Sequence, residues 1–111
     1  MRAVPIKIKD RTFELCFSNR VLMRLEQEKL DPETTLGSLT MLSCMMEAGD
    51  KLARMECREP HGFLSVDDLA DTLGPDDLLA LMKDMKRAQE GDRNVETVDT
   101  GKNGEDIPSE A

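Results

Sequence analysis

The chain has 111 residues, 15 of them basic and 23 acidic, and its formal net charge at pH 7 is −8. This length suits a single domain, and the negative charge disfavours nucleic acid and anionic membranes as partners. No apolar run approaches the ~18 residues of a membrane span, and Lys7 interrupts the first apolar residues too early for a signal peptide.

The first predicted element is a β-hairpin. Apolar and polar residues alternate before and after Asp10 and Arg11, which is typical of two strands joined by a two-residue loop. This loop would pair Ile8 with Phe13 and leave all the apolar side chains on one face. We expect the apolar face of this hairpin to pack on the helices, and we predict that the hairpin also mediates self-association. The residues assigned to both roles are Val4, Ile6, Ile8, Phe13, Leu15 and Phe17.

The next two predicted elements are helices. Residues 18–19, Ser-Asn, offer a cap for the first, and Pro32 ends it near residue 30 because the residue before a proline avoids helical backbone. Residues 34–35, both Thr, offer a cap for the second, whose apolar residues recur every three or four positions. That stripe consists of Leu39, Leu42, Met46, Gly49 and Ala53, flanked by Met45 and Leu52. The Gly-Asp pair at residues 49–50 leaves open whether this segment is one helix or two.

The third and fourth predicted helices have clear start positions. Ser65 precedes the third helix, with Asp68 three residues later and Leu64 placed to pack against Leu69. The Gly-Pro pair at residues 74–75 ends the third helix and opens the fourth. Its apolar side is predicted to comprise Leu78, Leu81, Met82 and Met85.

Gly91 marks the predicted end of the fourth helix and of a folded domain spanning residues 1–90. Residues 91–111 carry six acids and two bases among few hydrophobic residues. This composition predicts a disordered acidic tail. The expected fold class is therefore α+β, mainly α, with an N-terminal hairpin packed on a bundle of about four helices.

The sequence lacks the motifs of catalysis and of cofactor binding. His61, its one histidine, lies in a Pro-Gly loop without a neighbouring nucleophile, and no Gly-rich phosphate loop is found. Cys57 and His61 have a spacing that a metal site uses, but further ligands with metal-site spacing are missing. The odd number of cysteines indicates a reduced, intracellular chain. We expect no enzymatic activity, no cofactor and no metal.

Methionine is abundant, with eight residues in 111. Flexible thioether side chains suit the binding of varied apolar helices, although we favour core filling for Met45, Met46 and Met82. Met41 and Met55 flank the stripe of the second helix, so we expect them to be exposed. The predicted partner-binding residues are Leu39, Met41, Leu42, Met45, Met46, Leu52 and Met55.

A family resemblance extends over residues 4–90. It is carried by a hairpin reading IKI and FELCF, a capped helix with Leu22, Leu25 and Glu26, a long helix with Ala48 and Gly49, the run LSVDDL, a last helix and an acidic tail. In this layout the chain resembles the tail assembly chaperones of long-tailed bacteriophages. The resemblance implies a chaperone fold and a non-catalytic role, in a phage or a prophage.

The resemblance also implies partners and a location. Chaperones of that family bind the long, apolar, helical tape-measure protein, keep it in solution and help recruit tail-tube subunits around it. They self-associate, act in the cytoplasm of the bacterial host and are absent from the mature virion. By this resemblance we expect the tape-measure protein, the tail-tube protein and further copies of the chain as partners, with no nucleic acid and no membrane.

Three other functions stay open. The aspartate-rich residues 67–77 fit a small acidic adaptor or inhibitor, of the antitoxin or antirepressor kind, that mimics nucleic acid. A structural component of the tail is a second alternative. The third is an enzyme subunit that holds a metal at Cys57 and His61.

Overall fold

A computed structural model describes the backbone of residues 3–100 and the side chains of residues 3–90. The strands β1 (Ala3–Ile8) and β2 (Arg11–Cys16) form a two-stranded antiparallel sheet. After them come α1 (Asn19–Glu28), α2 (Thr35–Met55), α3 (Val66–Thr72) and α4 (Pro75–Thr100). The predicted hairpin on four helices is therefore confirmed. Among the described helices, none combines the length and apolar character needed to cross a membrane.

The register of the hairpin differs from the predicted one. Ile8 pairs with Arg11 instead of Phe13, so the two-residue loop consists of Lys9 and Asp10. Lys9 adopts a φ of 54°, and tight two-residue hairpin loops require such positive φ values. The alternating pattern could not reveal the difference, because a shift of two residues leaves every side chain on its predicted face.

The apolar face of the hairpin forms one wall of the core. α2 packs on β2, and α4 packs on both strands. Phe17, just after β2, is half-buried against the same core. The side chains that this packing buries are Val4, Ile6, Ile8, Phe13 and Leu15.

α2 is the central element of the domain. It continues as one helix through residues 49–50, which settles the question that the sequence left open. Residues 37–46 are all buried, because β2, α1, α3 and α4 each pack against α2. A helix without a polar face is stable only when it is surrounded in this way.

Two of the four helix starts use caps that the sequence predicts, and a third uses a cap that it did not predict. The hydroxyl of Ser65 accepts the N–H of Asp68 at 3.1 Å, which confirms the cap of α3. The hydroxyl of Thr34 likewise accepts a backbone N–H at the start of α2. At α4 the carboxylate of Asp77 reaches back to accept the N–H of Gly74 at 3.0 Å. Ser18 precedes α1 as predicted, but its side chain makes no capping hydrogen bond.

α4 extends beyond its predicted end. The helix continues past Gly91 to Thr100. A single glycine lowers helix stability by only ~1 kcal/mol, and the next proline in the chain is Pro108. The predicted disordered tail, residues 91–111, is therefore wrong for residues 91–100, whose backbone is helical. Residues 101–111 lie outside the described residues.

Candidate functional site: an apolar groove between three helices

An apolar groove with a volume of about 560 Å³ lies between the start of α2, α3 and the first half of α4. Its apolar walls include Leu39, Leu73, Leu78, Leu79 and Met82. Glu33 is the one charged residue among the side chains that line it. A concave surface of this composition binds apolar side chains and offers a single fixed charge for orientation.

α4 presents hydrophobic residues on two faces. Leu81 and Met85 point into the core and are buried. Leu79 and Met82 lie three residues apart on another face, with 62% and 38% of their surfaces exposed. Apolar side chains that stay in water next to a groove are typical of an interaction site. The sequence analysis placed Met82 on the core side and missed Leu79, although the spacing of this pair was visible.

The chain segments that form the groove are uniformly acidic. Residues 31–39 and 70–82 contain five acids and no Lys or Arg: Asp31, Glu33, Asp71, Asp76 and Asp77. All five are exposed, and none forms an ion pair within the described part of the chain. The side chain of Asp31 accepts the N–H of Glu33 at 2.9 Å, so part of this charge also stabilises the local backbone. Lys83 and Lys86 follow on α4, four residues after Leu79 and Met82, and Asp77 lines a different cavity beside Lys7 and Lys9. The groove therefore combines apolar walls and one lining acid with surroundings that hold a small excess of acids.

The predicted partner-binding residues do not form a surface. Five of the seven are buried because α2 is surrounded: Leu39, Met41, Leu42, Met45 and Met46. The expected exposure of Met41 is therefore wrong, since only 8% of this residue is exposed. Met55 is 79% exposed, as expected, and Leu52 is half-buried. Leu39 alone among the seven lines the groove.

The side chains predicted for self-association face inwards. The apolar residues of β1 and β2 pack on the helices, so a second copy cannot reach them in this conformation. The outward positions of the hairpin are polar and include Lys7 and Thr12, which pair with each other across the strands. Self-association through the hairpin would have to use these outward side chains or the strand backbone.

Two side chains of α2 hold the loop that joins it to α3. Asp50, which is buried, accepts the N–H of Gly62 at 3.0 Å and the Nε–H of Arg54 at 3.0 Å. The hydroxyl of Ser43 donates to the carbonyl of Leu64 at 2.7 Å. These bonds satisfy backbone groups that the loop would otherwise leave unpaired. The loop is therefore fixed just before α3 begins.

Arg58 ties the same loop to the hairpin. Its guanidinium donates to Glu14 at 2.8 Å and to Glu56 at 2.8 Å. These two hydrogen bonds, that of Glu14 first, raise the pKa of Arg58. The other carboxylate oxygen of Glu14, Oε1, is buried without a hydrogen-bond partner among the described residues. Exposed ion pairs contribute little, so this link orients the loop more than it stabilises the fold.

The cysteines and His61 lie in different environments. Cys57 and His61 are both exposed on the loop after α2. Within residues 3–90, no group of three or more His, Cys, Asp or Glu side chains is placed to hold a metal. Cys16 and Cys44 are buried, and burial raises the pKa of the Cys44 thiol.

Comparisons with known proteins return no match: no family model, no curated protein and no solved structure is similar to this chain. The fold and the site define a small α+β domain with a groove between three helices, whose walls are apolar except for Glu33. Its function is therefore argued from that groove and from the sequence.

Proposed function

We propose that this chain is a non-catalytic chaperone of phage tail assembly that binds the tape-measure protein. The observation that supports the proposal most is the open groove between α2, α3 and α4, with Leu79 and Met82 exposed beside it. Amphipathic helices dock into such grooves through apolar side chains three or four residues apart. A long, apolar, helical partner offers many segments of this kind.

The chemistry of the groove suits holding rather than catalysis. Glu33 is its single ionisable lining residue, so the groove offers no pair of ionisable side chains for general acid–base catalysis. The thioether of Met82 adapts to partner side chains of different shapes. The net charge of −8 would keep a complex with an apolar partner from aggregating.

The wider role that we propose follows the resemblance to the family. While the tape-measure protein is held, tail-tube subunits are recruited around it in the cytoplasm of the host bacterium, and the chaperone is absent from the finished virion. Leu22 and Met23 on α1 are 43% and 54% exposed and offer a second apolar surface for tube subunits or for further copies.

Co-expression with a tape-measure protein from the same genome tests the proposal. We expect the tape-measure protein to be soluble and to co-elute with this chain, and to precipitate without it. Leu79→Glu should abolish the complex, because it places a charge in the apolar wall. Met55→Glu is the matched control, since Met55 is also exposed, 79% against 62% for Leu79, but lies outside the groove.

Two results would contradict the proposal. One is a tape-measure protein that stays insoluble while this chain elutes alone. The other is a complex that survives Leu79→Glu but is lost in Met55→Glu, which would move binding to the end of α2.

Purified virions that contain the chain would instead favour a structural tail component. Displacement of a DNA-binding protein from its operator would favour an acidic inhibitor.

A further inference from the structure

The charge around the groove restricts what can bind there. Four acids lie on or near its walls, Asp31, Glu33, Asp71 and Asp76, against two bases, Lys83 and Lys86, four residues after Leu79 and Met82. The N-termini of α2 and α4 lie in the segments that form the groove, residues 31–39 and 70–82, and each contributes a partial charge of about +0.5, whereas the C-terminus of α3 in the second segment contributes about −0.5. The sum stays at about −1.5, so the surroundings of the groove are negative after the helix dipoles are counted.

From this balance we infer that the groove selects amphipathic helices whose apolar face is flanked by Lys or Arg. The inference rests on the proposed function and names the class of partner segment that the groove takes. Glu33 is placed to receive such a base, because it lines the groove and is exposed. A helix with acidic flanks would meet the like charge of Glu33 on the wall and those of Asp31, Asp71 and Asp76 nearby.

The attraction acts mainly on encounter and on selectivity. Exposed charges around an apolar site raise the association rate and disfavour partners of the same sign. They are screened within about 8 Å at physiological ionic strength. The affinity for a basic helix should therefore fall with added salt, while the apolar contribution of residues such as Leu79 should not.

Binding of three synthetic helical peptides to the full chain tests the inference. The peptides share one apolar face, with leucines at positions i, i+3 and i+7, and carry flanking Lys, Gln or Glu. We expect the Lys peptide to bind at least about tenfold more tightly than the Glu peptide at low salt, and the difference to shrink at high salt. Glu33→Gln should lower the affinity for the Lys peptide by about two- to fivefold, the range of one exposed ion pair, and leave the affinities for the other two peptides unchanged.

Glu59→Gln is the matched control, because Glu59 is exposed on the loop between α2 and α3 and does not line the groove. It should change no affinity. Equal affinities for the Lys and Glu peptides would overturn the charge selection and leave the proposed function standing. Failure of all three peptides to bind would overturn both. Oligomers of the free chain that Leu79→Glu dissociates would show that a second copy occupies the groove, and would overturn the inference.

Discussion

The backbone carbonyl of Glu14 occupies the space that a β-carbon on Gly49 would need. α2 therefore crosses β2 at a position where only glycine fits, and the helix can lie close to the strand. The sequence analysis treated Gly49 as a possible break in the helix. The structure shows it as the point of closest approach between the central helix and the hairpin.

Gly49→Ala should be strongly destabilising. The new methyl group would collide with strand backbone, which cannot rotate away as a side chain can, and overpacking of this kind costs about 1–3 kcal/mol or more. Urea unfolding measures the loss. Gly74→Ala is the control, because a β-carbon there would meet only the Asp77 carboxylate at 3.6 Å. Equal stability of the two variants would contradict the close approach.

Asp50→Ala should release the loop before α3. The change leaves the N–H of Gly62 without its partner, and an unsatisfied buried donor costs about 1–3 kcal/mol. Arg54→Ala removes only the ion pair with Asp50. Because the Arg54 side chain is 64% exposed, we expect the free energy of unfolding to change by no more than about 1 kcal/mol. Amide hydrogen exchange at Gly62 should accelerate in the first variant and not in the second. The opposite order would show that the ion pair holds the loop.

Lys9→Gly should stabilise the hairpin. Lys9 has a positive φ, which costs a residue with a β-carbon about 1–2 kcal/mol relative to glycine. Part of that gain is lost to the greater freedom of glycine in the unfolded chain. The melting temperature should rise in Lys9→Gly and fall in Lys7→Gly, which weakens β1 instead. A loss of stability in both variants would support the register that the sequence predicted.

The three cysteines should react with a thiol reagent at different rates. In the native protein a maleimide should label Cys57 first, because Cys16 and Cys44 are 0% and 2% exposed.

Burial raises the pKa of Cys44, so above the unfolded value of about 8.5 the native state binds more protons than the unfolded state. The free energy of unfolding should therefore fall as pH rises above that value. Cys44→Ala should show a smaller fall between pH 7 and pH 9.5, and an identical fall would rule out this thiol as the cause.

Local chemistry made the helix starts and the faces of the strands predictable. Ser65 and Asp68 lie three residues apart, and the cap they form depends on nothing else in the chain. The faces of β1 and β2 follow from their alternation alone. The pairing register depends on which loop residue accepts a positive φ, and Lys9 gave no sign of this in the sequence.

The groove could not be predicted because it depends on how helices far apart in the chain come together. The sequence placed the partner-binding surface on α2, since its methionines are dense there. In the structure β2, α1, α3 and α4 pack around α2, and Met41, Met45 and Met46 lie in the core. The exposed pair Leu79 and Met82 then becomes a site only because the start of α2 and α3 provides the opposite walls.

The burial of α2 on every side has a consequence during synthesis. The hairpin and α1 precede this helix, but the last core residues that cover it, Met85 and Ala88, come about thirty residues after its end. At ~5–20 residues per second, the ribosome takes roughly 2–6 s to supply them. During that interval the side of α2 that faces α3 and α4 is uncovered, although β2 and α1 can already pack on the helix. A product that stops before α4 would keep part of that side uncovered. The protein that we propose to shield apolar helices thus passes, in every round of translation, through a stage at which its own central helix needs shielding.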